Sequence, residues 1–307
     1  LERARAGGVE VALGGAVTEV RQAAQPPPSH QAARDGPLPP PRRGSGRDGY
    51  LSRDAGEDWD GGHADPHPHG LTVRLSGGAE ITTRTLILAT GKHDLRGASR
   101  NQRDGAIGVK LPLEDVAIED AIALLACAGG YAGLQPRPGG GANLCAALDP
   151  RAPGVKEAAR GAGAFLDHVM RGSVLGERLL RDARPLLAKP MTVANVPYGY
   201  VARGGPDHLF RAGDQASVIP SFCGDGVAMA LVSGRHAAAA IIAGRAAPAH
   251  HAAWAGTVGA SMRLAGLLGA LVNRAPGLLV TGAQVAPRLA GWAARRTRAA
   301  ERHAAAA

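Results

Sequence analysis

The run Leu209-Phe210-Arg211-Ala212-Gly213-Asp214-Gln215-Ala216-Ser217-Val218-Ile219-Pro220-Ser221-Phe222-Cys223-Gly224-Asp225-Gly226-Val227-Ala228-Met229-Ala230-Leu231 decides how this chain folds. His208 to Ala212 reads as a short strand, and Gly213-Asp214 stands at its carboxyl end. A glycine-rich loop follows, and an Ala-rich segment predicts a long helix over residues 226–243. In an open α/β sheet, ligands sit outside the carboxyl ends of the strands. A carboxylate there accepts hydrogen bonds from a polyol. Glycines let the backbone approach a ligand closely, and a helix N-terminus offers N–H groups and partial positive charge. The combination suits an electron-rich carbonyl or an anionic ring at the helix tip. The purely structural reading of the same run is a strand, loop and helix with Asp225 as the helix cap.

Working outward, Leu86-Ile87-Leu88-Ala89 reads as a second hydrophobic strand, running into Thr90-Gly91-Lys92-His93-Asp94-Leu95-Arg96. A small meander precedes it: Leu71-Thr72-Val73-Arg74-Leu75, a turn at Ser76-Gly77-Gly78, and a strand through Glu80 to Thr83. Val17 to Val20 is extended, as is Val9 to Leu13, and residues 1–6 read as a helix. Ile107 to Leu111, Ala121 to Leu125, Ala142 to Leu148 and Met191 to Val196 have strand character. Residues 154–188 carry helical spacing, and residues 249–303 read as helix broken at Pro276 and near Pro287.

These two runs together resemble the FAD-dependent superfamily that includes p-hydroxybenzoate hydroxylase and the geranylgeranyl reductases. The resemblance implies that Asp214, with Gly213, binds the ribityl hydroxyls of FAD and that Pro220 lies beside the isoalloxazine ring. The backbone at Gly224, Gly226 and Val227 would face the pyrimidine edge. Gly91 would allow close approach to FAD, and Arg96 would pair with a phosphate or orient its loop. Asp94 stands where the hydroxylase branch has Ser. A third segment, Gly130-Tyr131-Ala132-Gly133-Leu134-Gln135-Pro136, is similar to the substrate-side hairpin of the reductases, without its aromatic Trp and Phe. Tyr131 would face substrate or simply pack the hairpin. Trp59, Trp254 and Trp292 do not form the paired-Trp motif of the flavin halogenases. No Gly-x-Gly-x-x-Gly run stands in a strand–turn–helix context, so the resemblance implies that the unit holding the pyrophosphate precedes Leu1.

Composition bounds the rest. Residues 25–70 hold nine Pro and eight Gly, and their only Leu, Ile, Val or Phe residues are Leu38 and Leu51, which reads as a disordered insertion. Its His63, Asp65, His67 and His69 read as solvated loop before metal site. Cys127, Cys145 and Cys223 are too scattered for a disulfide scaffold or zinc site, and a reducing, cytoplasmic setting follows as the expectation. No run of about 18 uninterrupted apolar residues occurs, which argues against a transmembrane helix. The net charge of +9 is concentrated at the C-terminus, where residues 248–307 hold seven Arg and one Glu. With only Trp254 and Trp292 there for stacking, nucleic acid is not the expected partner. A stripe of Leu264, Leu267, Leu268, Leu271 and Val272 beside Arg263 and Arg274 either packs on the protein or lies on a membrane surface.

The expected fold class is α/β, mixed with α+β features. An incomplete Rossmann-like FAD-binding domain would comprise residues 1–24, 71–105 and 205–247. A β-rich substrate domain would span 106–204, and a helical region 248–307. By resemblance the protein would be an FAD-dependent oxidoreductase, a monooxygenase or double-bond reductase of a small or lipophilic molecule, with NAD(P)H as electron donor. The alternative is a flavoprotein fragment that does not turn over and acts at most as a binding module.

Overall fold

The computed structural model describes residues 16–22, 70–100 and 105–298. The expected helix and strand before residue 14, and the insertion with its histidines, lie outside these residues.

Three strands, β1 (Val17–Gln22), β2 (Leu71–Leu75) and β3 (Glu80–Thr83), form an antiparallel meander in that order. Alternation buries Leu71 and Val73 of β2 on one face. Val20, Leu71 and Val73 pack there with Leu88 and Leu209. Those last two belong to β4 (Leu86–Leu88) and β11 (Leu209–Arg211), a parallel pair with Leu86 opposite Leu209 and Leu88 opposite Arg211. No further strand pairs with β4 or β11 among the described residues, and Ile87 is exposed.

The larger sheet contains β5 (Ala106–Glu114), β6 (Ala123–Cys127), β7 (Gly130–Pro136), β8 (Ala142–Leu148) and β10 (Met191–Val196), in the order β10-β5-β8-β7-β6, all antiparallel. The two-residue β9 (Arg184–Pro185) pairs with β5. Val109, Leu111 and Leu113 of β5, Ala132 and Leu134 of β7, and Leu144 of β8 all point to one buried face. Three helices cover that face: α1 (Val155–Ala158), α2 (Ala162–Gly172) and α3 (Val174–Leu180). Phe165, Leu166 and Val169 of α2 sit at helical spacing and pack into it. Ser173 caps α3 by accepting from the Gly176 N–H at 3.1 Å. Because side chains alternate, Tyr131 lies on the opposite face of β7 from Ala132 and Leu134.

The chain then forms α4 (Gly226–Ile242), α5 (Ala247–Arg274), α6 (Pro276–Val285) and α7 (Pro287–Thr297). Pro276 and Pro287 each open a helix, where a missing N–H costs nothing, and end the preceding one. By length and composition α5 could cross a bilayer, although no single run of the sequence is apolar throughout. One face of its first two-thirds packs into the protein. Trp254, Val258, Met262 and Ala265 pack with Met229 of α4 and with Ala216 and Ile219.

His251 of α5 closes the outer edge of β11. Its Nε2 accepts from the Arg211 N–H at 3.1 Å, which leaves Nδ1 to donate to the Gly204 carbonyl at 3.0 Å. The ring is therefore a neutral Nδ1–H tautomer. Burial, reinforced by neighbouring His250, pulls its pKa down to about 4. Above pH 6.5 the ring is neutral in both the folded and the unfolded chain. As pH falls below 6.5 the unfolded chain takes up a proton that the folded chain refuses, so stability falls, by roughly 3 kcal/mol near pH 4. Urea unfolding at pH 7.5 and 4.5 is expected to show this loss in the wild type. His251→Gln, whatever it costs at pH 7.5, is expected to lose less on acidification; an unchanged loss would remove His251 as its source.

Candidate functional site

The parallel register of β4 and β11 brings their carboxyl ends side by side. The Ala212 N–H donates to the Leu88 carbonyl at 3.0 Å, which sets the loop after β4 against the turn after β11. Residues 122 apart in sequence meet there: Lys92 Nζ lies 2.8 Å from Asp214 Oδ2. Gly91, Gly213 and Asp214 thus share one junction. Lys92 is no bystander in a solvated loop, because it bridges the two motifs.

Two buried side chains hold the junction from beneath. Gln215 is fully buried; its Nε2 donates to the carbonyls of Gly91 (3.0 Å) and His93 (2.8 Å), and its Oε1 accepts from Arg211 (2.8 Å). Arg100 is also buried. It donates to Asp94 Oδ1 at 2.6 Å, to the Lys92 carbonyl at 2.5 Å and to the Asp214 carbonyl at 3.0 Å. The loop-orienting part expected of Arg96 is played among these contacts by Arg100. The Arg96 side chain is exposed, and its carbonyl accepts from the Val20 N–H of β1 at 3.1 Å. Arg100 is the residue that orients the loop. Sequence reasoning missed it because both arginines follow the strand closely, and only burial against three acceptors distinguishes them.

From the junction the chain runs through Pro220, a 3₁₀ turn over Ser221–Cys223, and Gly224 into α4. Ser233 of α4 accepts from the Gly213 N–H at 2.7 Å and donates to the Ala230 carbonyl at 2.9 Å, which ties the helix to the turn. Asp225 occupies the N-cap position, but its side chain makes no capping bond. The first bond of α4 runs from the Met229 N–H to the Asp225 carbonyl. The N–H groups of Gly226, Val227 and Ala228 therefore have no partner within the helix.

Two features of the glycines matter here. Gly91 and Gly224 have φ of 64° and 72°, a left-handed backbone that other residues adopt at a cost. A Cβ added at Gly91, Gly224 or Gly226 would meet no atom within 4 Å, so each faces open space.

A cleft of about 670 Å³ lies between the large sheet, the Pro220 loop and the end of α5. Pro220, Phe222, Tyr131 and Tyr198 line it, as do Gly266 and Gly269 of α5; Gly91, Asp214, Gly224, Gly226 and Val227 do not. Two phenols fasten the loop to the sheet. The Tyr131 hydroxyl accepts from the Phe222 N–H at 2.9 Å, and its ring meets the Phe222 ring edge-on at 5.6 Å. The Tyr198 and Ser221 hydroxyls are 2.6 Å apart. Burial pushes the pKa of both phenols above the ordinary tyrosine value, so both hold their protons at neutral pH. Burial also raises the Cys223 thiol to about 11, which leaves it un-ionised. Among the described residues no group of three or more His, Cys, Asp or Glu is placed to hold a metal ion.

No protein-family model and no curated protein matches the chain. Among solved structures it is similar to the flavin-dependent brominase Bmp2, with a TM-score of 0.55 and 17% identity over 74% of this chain and 61% of the brominase. A triple mutant of that brominase gives 0.54 at 14% identity, covering 75% of this chain and 62% of that one. PqsL from Pseudomonas aeruginosa, described as a probable FAD-dependent monooxygenase, gives 0.45 at 16% identity, covering 66% of this chain and 60% of that one. The chain spans about three-fifths of the length of these proteins. Over the residues it shares with the brominase, it has the mixed α/β fold of a flavin-dependent enzyme.

Proposed function

We propose that the chain is the ring-side and substrate-side part of an FAD-dependent oxidoreductase, a monooxygenase or double-bond reductase acting on a small or lipophilic molecule in the cleft. The observation that carries this reading is the junction itself. Two motifs far apart in sequence meet at the carboxyl ends of parallel strands, beside glycines that face open space and next to a cleft. The residues fit a flavin. Bare backbone at Gly91, Gly224 and Gly226 leaves room for a planar ring, and the N–H groups at the start of α4 suit its electron-rich pyrimidine edge. Asp214 would accept from the ribityl hydroxyls, with Lys92 giving up or sharing its carboxylate. Among the described residues no Gly-x-Gly-x-x-Gly turn opens a helix to hold a pyrophosphate.

Bound FAD, reduced by NAD(P)H, would supply hydride to a double bond or activate dioxygen for hydroxylation. The chain's own residues would position and shield. Pro220 and Phe222 would separate ring from solvent on the cleft side. Tyr131 and Tyr198, both protonated, would present hydroxyls on the cleft wall, with the Tyr198 and Ser221 hydroxyls paired there. The fold likeness to a brominase is compatible with this reading, and the sequence lacks the paired-Trp motif of the halogenases.

Titration of flavin into the purified chain, read by quenching of flavin fluorescence, tests the proposal. Saturable quenching is expected. Gly226→Val is expected to weaken it about tenfold or more, since it puts a branched side chain into the cradle at a position without a left-handed φ and with nothing within 4 Å. An absence of quenching, or equal affinity in the variant, would remove the flavin site. Binding without flavin-dependent oxidation of NAD(P)H would favour the binding-module reading.

A further inference from the structure

The C-terminal helices carry an apolar surface that nothing among the described residues covers. Every described side chain of α6 is exposed, including Leu278 at 69% and Val285 at 80%. On the neighbouring helices Leu267 (71%), Leu289 (63%) and Trp292 (45%) are exposed as well. Residues 275–287 contain no charged side chain. Large apolar side chains left exposed on an uncharged helix mark a surface for a partner or for lipid. This one is attached to the protein through α5 and α7, with its outer side chains in the open.

The charge carried by these helices has one sign. Residues 248–298 hold six arginines (263, 274, 288, 295, 296 and 298) and no Asp or Glu. Arg274 and Arg288 flank α6 on either side, and both are exposed. Leu289 and Trp292 are three residues apart on α7, hence on one face, and Arg296 stacks over the Trp292 ring at 5.5 Å. Apolar side chains bounded by arginines, with an indole at the edge, match the boundary between acyl chains and anionic headgroups. The sequence stripe on α5 contributes through Leu267, but α6 and α7 carry most of the exposed apolar side chains. The same α5 walls the cleft at Gly266, Gly269 and Arg274, so this surface and the cleft share one helix.

We infer that α6, α7 and the end of α5 form a docking surface for an anionic lipid bilayer, on which the protein lies without spanning it. One face of the first two-thirds of α5 packs in the protein core, so Leu278, Val285, Leu289 and Trp292 supply the apolar contact. Arg274, Arg288 and Arg295 supply the attraction to headgroups.

Co-sedimentation of the full chain with vesicles tests this. Vesicles of equal parts phosphatidylcholine and phosphatidylglycerol are expected to bind the chain far better than phosphatidylcholine alone, with binding weakened by salt. Arg288→Gln and Arg295→Gln are each expected to weaken binding about fivefold. Leu278→Gln combined with Val285→Gln is expected to weaken it about tenfold or more, with the circular dichroism spectrum unchanged because both side chains are exposed. No binding, equal binding to both kinds of vesicle, or unchanged binding by the variants would overturn the inference. So would sedimentation velocity showing a dimer that Leu278→Gln and Val285→Gln abolish, because a second copy would then be the cover.

Discussion

Replacing Arg100 with methionine is expected to lower the free energy of unfolding by about 3–5 kcal/mol. The guanidinium is buried and serves one carboxylate and two main-chain carbonyls at 3.0 Å or less. Methionine fills much of the volume but leaves these acceptors without their donor, which is the costly way to break a buried network. The loop from Gly91 to Asp94 would lose its fastening to Asp214, and flavin affinity is expected to fall with it. Lysine is not expected to rescue the loss, because one ammonium cannot reproduce the planar fork that spans these acceptors. Arg96→Met, on an exposed side chain, is expected to change stability by less than about 0.5 kcal/mol. Urea unfolding of the two methionine variants in parallel checks the assignment; equal effects would contradict it.

Trp254→Ala is expected to cost about 3–5 kcal/mol, the range for deleting a buried large aromatic. The indole is almost wholly buried between α5, α4 and the segment leading to Pro220, against Ala216, Ile219, Met229 and Val258. Its Nε1–H donates to Ser217 Oγ at 3.1 Å, so the variant also strands a buried hydroxyl. Ser217 lies three residues before Pro220, so the same cavity would loosen the loop that borders the cleft. Trp254→Phe, which keeps most of the volume, is expected to recover more than half of the loss. Circular dichroism, rather than fluorescence, is the suitable probe, since the variant removes an indole.

Local features were legible where the signal is local. The Ala-rich run predicts 226–243 as helix and the structure has Gly226–Ile242; Ala142–Leu148 and Met191–Val196 are strands as predicted. Pro276 and Pro287 break the C-terminal helices because a proline ring cannot sit in a helix interior. The strand expected from Ala121 begins two residues later, after Asp120 takes a left-handed φ of 43°. The chemistry of the site was legible as two motifs but not as one junction. That Lys92 meets Asp214 depends on the pairing of β4 with β11, which no local pattern encodes. That Arg100 fastens the loop depends on its burial, which the sequence does not show; the resemblance had singled out Arg96, whose side chain is exposed. The exposed face of α6 was hidden for the converse reason: an apolar run reads as core until the structure shows, among the described residues, nothing packed over it.

Hydrogen exchange of the chain with and without FAD tests the central claim most directly, because it reports where the ligand sits as well as whether it binds. The account predicts slower exchange on adding FAD at residues 91–94, 213–216 and 224–228, in all three segments together, with β8 in the core of the large sheet unchanged. Protection confined to other segments, or no protection at flavin concentrations that saturate fluorescence quenching, would contradict it.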